Sequence, residues 1–192
     1  DVFTTIIERH EVLRTVYVTE GGTTLQRIRC LSECAFDIQV TDLSYLTGEM
    51  LAAQVKRLVT EESTKPFDLA QDVMLRVSFI KTGADSGVML LNMHHIASDG
   101  WSMAVLTQEF FALYDAYRQG QQSPLPPLAI QYADYAHWQR TYLVGEVLET
   151  QLSYWEQQLD ELPALHSLPL DYKRPETKQY TGAVLQGELP AV

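Results

Sequence analysis

Hydrophobic positions recur along this chain with two periods, and the periods mark out its elements. Val2, Phe3, Ile6 and Ile7 form a stripe at helical spacing, which predicts the end of a helix over residues 2–10. Leu13 to Val18 reads as a strand, Gly21-Gly22 as a turn, and Thr24 to Ile28 as the returning strand. Residues 30–48 are poorly patterned, with a short strand expected at Ile38 to Val40. Leu51, Val55 and Leu58 share a face of a helix over 49–62, and Pro66 bars its continuation. From Val73 to Ile80 the period becomes two: Val73, Leu75, Val77 and Phe79 point one way, Arg76 and Ser78 the other. Turn residues from Gly83 lead into a second strand, Gly87 to Met93, so a hairpin is expected. That second strand is apolar on both faces, which predicts a central place in the sheet, covered on both sides.

Helical spacing then returns. Met103, Leu106, Phe110, Leu113 and Tyr117 predict an amphipathic helix beginning near Ser102 and ending at Gly120, its stripe in the core. Ser123-Pro124-Leu125-Pro126-Pro127 is a stiff extended connector. Gln131 to Leu143 is a helix whose aromatic face, Tyr132, Tyr135, Trp138 and Tyr142, is also expected in the core. Val147 to Leu159 is a further helix, Pro163 to Lys178 a proline-punctuated loop, and Gly182 to Leu189 a weak last strand. The whole pattern is that of an α/β chain of layered α+β type, a mixed β-sheet packed with helices.

The chemistry concentrates between the apolar strand and the helix after it. There the chain reads Met93-His94-His95-Ile96-Ala97-Ser98-Asp99-Gly100-Trp101-Ser102. Two adjacent imidazoles, a carboxylate and a glycine thus occupy one strand-to-helix loop, where rigid scaffolds present functional groups. Histidine is the side chain that takes and returns protons near neutrality.

Composition narrows the partners. The chain has 192 residues, enough for one domain, with 46% hydrophobic and 20% charged positions. Asp and Glu number 25 against 14 Lys and Arg, a formal net charge of −11 that disfavours a nucleic-acid partner. No apolar run is long enough for a membrane span, no signal peptide is visible, and the start at Asp1 suggests a piece of something larger. Cys30 and Cys34 are the only cysteines; they lack the partners of a zinc site, so no metal is expected, and two unpaired thiols suit the cytoplasm. No phosphate-binding GxxxxGK[ST] loop and no GxSxG elbow occurs, and neither cysteine has a base beside it.

Several of these stretches, in this order, resemble the condensation domains of nonribosomal peptide synthetases. His94 to Gly100 is similar to the HHxxxDG signature, and Arg9-His10-Glu11-Val12-Leu13-Arg14-Thr15 to the RHExLRT motif. Pro66-Phe67-Asp68-Leu69 matches PFDL, and Gln131 to Gln139 resembles YxDFAxWQ with Tyr135 in place of Phe. Tyr154-Trp155 to Leu159, Leu168-Pro169-Leu170-Asp171 and Arg174-Pro175 resemble the YWxxxL, LPxD and RP elements that follow. Asp72-Val73-Met74 departs from the usual Gly-Pro-Leu.

The resemblance implies a chloramphenicol-acetyltransferase-like lobe: the N-terminal lobe of a two-lobed domain over 1–178, with the start of a crossover at 179–192. It implies peptide-bond formation between a donor aminoacyl or peptidyl thioester and an acceptor aminoacyl thioester. Both would ride on 4′-phosphopantetheine arms of partner carrier domains, with an adenylation domain adjacent and no cofactor bound by this chain itself. The Asp-Gly-Trp-Ser-Met run resembles the subtype that joins two L-residues. Of the candidate catalytic residues His95, His94, Asp99 and Gly100, the family motif makes His95 the catalytic histidine, as base or as positioner. It gives His94 a structural role and makes the Gly100 amide a candidate oxyanion donor. Asp99 is expected to pair with an arginine, Arg14 first, Arg9 or Arg76 otherwise, so that Arg14 and Arg9 support the site. His95 is expected at the rim of a channel, and this stretch alone is expected to be inactive. The competing readings are a stand-alone HxxxD acyltransferase using acyl-coenzyme A and a catalytically silent scaffolding lobe.

Overall fold

The computed structural model describes residues 1–165, 167–177, 182, 185, 187 and 188. They form two compact units, Asp1–Val144 and Gly145–Val192.

In the first unit, helix α1 (Val2–Arg9) buries Phe3, Ile6 and Ile7. A 3₁₀ turn over Glu11–Arg14 follows, so the first strand starts two residues later than the pattern suggested. Leu13 is a core residue of the turn and not of the strand. Strands β1 (Thr15–Glu20) and β2 (Thr23–Ile28) pair antiparallel as a separate two-stranded ribbon. Gly21 and Gly22, at φ 57° and 81°, supply the left-handed pair that a two-residue hairpin turn requires.

The main sheet has the order β3–β4–β5. β3 (Gln39–Asp42) lies parallel to β4 (Leu75–Lys81), and β5 (Gly87–Met93) lies antiparallel to β4, so the sheet is mixed as expected. β4 is therefore central and β5 is an edge strand among the described residues, a reversal of the expectation from its apolar sequence. The cause is β3, which joins the free side of β4 rather than that of β5. Gly87 lets the hairpin close tightly, because a Cβ there would stand 2.3 Å from the Phe79 ring and 3.0 Å from the Ile80 carbonyl, so that the ring would have to shift.

The sheet separates two helical layers. Leu75 and Val77, with Leu91 and Met93 opposite them, face a core shared with α1 and with Leu106 and Leu113 of α3 (Gly100–Arg118). On the other face, the Asn92 side chain donates to the Glu62 carbonyl of α2 (Gly48–Thr64) at 2.7 Å. Of the stripe on α3, Leu106 and Leu113 are buried and Phe110 and Tyr117 partly so, while Met103 is exposed. Helix α4 (Tyr132–Tyr142) departs from expectation. Its aromatic face is not core: Tyr132, Tyr135, Trp138 and Tyr142 are exposed and follow one another at centroid distances of 5.8, 5.7 and 5.1 Å, the last pair stacked.

In the second unit, α5 (Gly145–Gln158) is followed by described residues without helix or strand. The expected last strand, Gly182 to Leu189, and the expected lobe boundary near 178 fall largely on residues outside those described.

Candidate active site

The loop from His94 to Asp99 is built by a strand that ends and a helix that starts. The His94 amide donates to the Met74 carbonyl at 3.2 Å, continuing the contact between β4 and β5 by one residue. The His94 carbonyl then accepts from the Ala97 amide and from the Ser98 hydroxyl, both at 3.0 Å. These bonds close the loop into a tight turn.

The two imidazoles receive opposite environments. His94 Nδ1 faces the Ile96 amide at 3.0 Å. An amide N–H only donates, so Nδ1 must accept, and the ring is held as the Nε2–H tautomer. Its edge meets the Phe67 ring at 5.7 Å and 73°. Phe67 in turn lies 3.9 Å from the Arg76 guanidinium, which bonds Asp72 at 2.7 Å and the Lys65 and Pro66 carbonyls. Burial works against ionisation of Asp72, but the Asp68 amide and Arg76 outweigh it and hold the carboxyl below its usual range. The Pro66–Leu69 stretch thus serves as the mount of His94.

His95 is exposed, and its Nδ1 lies 3.0 Å from the Ser98 carbonyl. A carbonyl only accepts, so Nδ1 carries a proton, and in the neutral ring the lone pair is on Nε2. Of the two rings, His95 has its basic nitrogen available.

Asp99 is the N-cap of α3. Its Oδ1 accepts from the Ser102 amide at 2.9 Å and the Ser102 hydroxyl at 2.8 Å, while its own amide donates to Ser102 Oγ. The Ser102 amide, then the hydroxyl, lower the Asp99 pKa below the ordinary carboxylate value. The expected ion pair between Asp99 and an arginine does not form. The helix begins two residues earlier than Ser102, which puts Asp99 at the cap and engages its carboxylate there. Arg14 instead bonds the Arg29 carbonyl and Glu11, Arg9 bonds Glu109, and Arg76 bonds Asp72. Gly100 is the first helical residue; its φ is not left-handed, and a Cβ there would meet nothing within 4 Å. The turn does not require the glycine, and the space beside it is open. The Gly100 amide heads α3, where the first amides have no partner within the helix and the dipole favours negative charge.

A cleft of about 370 Å³ adjoins the loop. Ile6, Val105 and Leu106 are among its apolar walls, and His10, Asp99 and Ser102 supply its polar atoms. His95 does not line this cleft, which meets the loop at Ala97 and Asp99.

Glu109 was not among the residues expected in the site. It is buried on α3 at 8% exposure and bonds both Arg9 and His10. The signal was present in the pattern, since Glu109 falls on the same helical stripe as Leu106 and Leu113.

The site thus consists of an exposed histidine on a tight strand-to-helix loop that runs into a capped helix start. Comparison with known proteins identifies the family. The family model for the condensation domain matches residues 1–191, and the chain belongs to that family. It is 42% identical over 97% of its length to a component of the linear gramicidin synthase of Brevibacillus parabrevis, of which it spans 2%. It is 37% identical over its whole length to the phosphinothricin tripeptide synthetase PhsC of Streptomyces viridochromogenes, of which it spans 17%. Among solved structures, the epimerization domain from the third module of tyrocidine synthetase B aligns with TM-score 0.76 and 25% identity, over 90% of this chain and 38% of that one. The X-domain from teicoplanin biosynthesis aligns with TM-score 0.77 and 28% identity, over 91% and 38% respectively. The fold is chloramphenicol-acetyltransferase-like, as the sequence resemblance implied.

Proposed function

We propose that this chain is the N-terminal lobe of a condensation domain, with residues 179–192 opening a crossover, and that the complete domain forms peptide bonds between carrier-bound thioesters. The acceptor amine attacks the donor carbonyl carbon; the C–N bond forms, the C–S bond breaks, and the donor phosphopantetheine thiol leaves. His95 Nε2 takes the amine proton and returns it to the departing thiolate. The Gly100 amide, at the positive end of α3, stabilises the tetrahedral oxyanion. Asp99 caps that helix end, and His94 anchors the loop to Phe67. The observation that carries this reading is the His95 ring, exposed and bonded through Nδ1 to the Ser98 carbonyl. The Asp-Gly-Trp-Ser-Met run supports the subtype that joins an L-residue donor to an L-residue acceptor. The partners in this reading are donor and acceptor carrier domains and an adjacent adenylation domain. A cytoplasmic setting suits the free Cys30 and Cys34, and no helix among the described residues is long and apolar enough to cross a membrane.

The test uses the full-length protein with aminoacyl-loaded donor and acceptor carrier domains, read by mass spectrometry of the acceptor arm. A dipeptidyl thioester on the acceptor is the expected product. Acylation of free amines from acyl-coenzyme A, with no carrier-bound dipeptide, would replace this reading with that of a stand-alone acyltransferase.

A further inference from the structure

The network around Glu109 lies outside the loop chemistry yet ends beside it. Its carboxylate sits on the apolar stripe of α3, where an unpaired charge is costly. Each oxygen has its own donor: Arg9 Nε at 2.9 Å from Oε1 and His10 Nε2 at 2.7 Å from Oε2. Arg9 continues the network through a bond from Nη1 to the Pro126 carbonyl, and its own carbonyl accepts from Gln131 Nε2 at 2.9 Å. Gln131 Oε1 accepts from the Glu11 amide at 3.2 Å. The carboxylate therefore ties α3 to the end of α1 and the start of the 3₁₀ turn, and the backbone of Arg9 and Glu11 holds Gln131, the residue that caps α4.

A leucine at 109 would satisfy the packing at less desolvation cost, so stability alone does not explain the charge. What a directional network adds is a single allowed position for α3 along and about its axis. That position matters because α3 begins at Asp99 and Gly100, and His10 and Asp99 line the same cleft. We propose that Glu109 and His10 are positioning residues for the condensation reaction: Glu109 fixes the His10 ring as a cleft wall and sets where the N-terminus of α3, and with it the His95 loop, stands. This rests on the function proposed above.

The full-length protein supplies the test, with carrier-bound substrates, single-turnover rates and thermal melts taken together. Glu109→Gln keeps the shape but has one acceptor oxygen in place of two. The expected result is a rate at least about tenfold lower at a temperature where circular dichroism shows the variant folded, the scale that a sub-ångström misplacement of reacting groups reaches. His10→Gln should give a comparable loss. The double variant should be no slower than the slower single one by more than about twofold, since both break the same link. Affinity for the acceptor carrier should stay within about twofold of wild type, because neither residue is asked to bind it. Rates within about twofold of wild type in a folded variant, or losses that multiply in the double variant, overturn the inference. If Glu109→Gln does not fold, His10→Gln, at the more exposed end of the network, decides it by the same criteria. A wild-type protein that forms no dipeptidyl thioester overturns the functional reading itself, a result distinct from an active wild type with unimpaired variants.

Discussion

Replacing His94 by alanine should damage the fold, and replacing His95 should not. His94→Ala removes the acceptor of the Ile96 amide and the edge-on contact with Phe67. A donor left unsatisfied in a partly buried site costs about 1–3 kcal/mol. An aromatic edge-to-face pair contributes about 0.5–1.5 kcal/mol beyond its buried area. The two losses together are about 1.5–4.5 kcal/mol. His94→Asn offers Oδ1 in place of Nδ1 and should recover about half of this, since the amide acceptor returns and the ring does not. His95→Ala touches an exposed ring whose one bond is to a carbonyl that water can serve, so its effect should lie within about 0.5 kcal/mol. Urea denaturation of the full-length protein, followed by near-ultraviolet circular dichroism, reads all three. Equal destabilisation by His94→Ala and His95→Ala, or no recovery with asparagine, would refute the assignment of opposite tautomers and roles.

Two further outcomes follow from local geometry. Gly87→Ala places a methyl against the Phe79 ring at the start of β5 and should cost about 1–3 kcal/mol of stability, measured by the same denaturation; an unchanged midpoint would show that Phe79 moves aside freely. Asp99 has a folded pKa below its unfolded value, so the stability it confers is complete above the ordinary carboxylate range and is lost as pH falls through the depressed value. The melting-temperature difference between wild type and Asp99→Asn should therefore shrink on going from neutral pH into acid, and a difference that grows would contradict the capping role.

Much of the fold was legible because local and global preferences agree in particular places. Gly21-Gly22 could only be a tight turn, and the alternation from Val73 placed its strand and hairpin to within two residues. The failures have physical reasons. The apolar sequence of β5 reads as central, but edge or centre is decided by where β3 pairs, a long-range choice that periodicity does not carry. The aromatic side of α4 has core composition, yet its four rings are exposed. In the site, the loop and its two histidines were visible as a compact motif. The partner of Asp99 was not, because a carboxylate before a helix serves equally as cap and as ion-pair acceptor. Only the true helix start, at Gly100, separates the two. Glu109 was legible only as a charge on the Leu106–Leu113 stripe; its partners Arg9 and His10 lie about a hundred residues away, a pairing that periodicity does not carry.

The central claim is that His95, with Nδ1 bonded to the Ser98 carbonyl and Nε2 free, handles the proton of the attacking amine. The direct measurement is the single-turnover rate of dipeptidyl thioester formation by the full-length protein and by its His95→Ala variant, both with saturating loaded carrier domains. The expected result is a loss of at least about 10²-fold, the scale of lost acid–base assistance, with an unchanged melting temperature. A His95→Ala protein that forms product at the wild-type rate would contradict it.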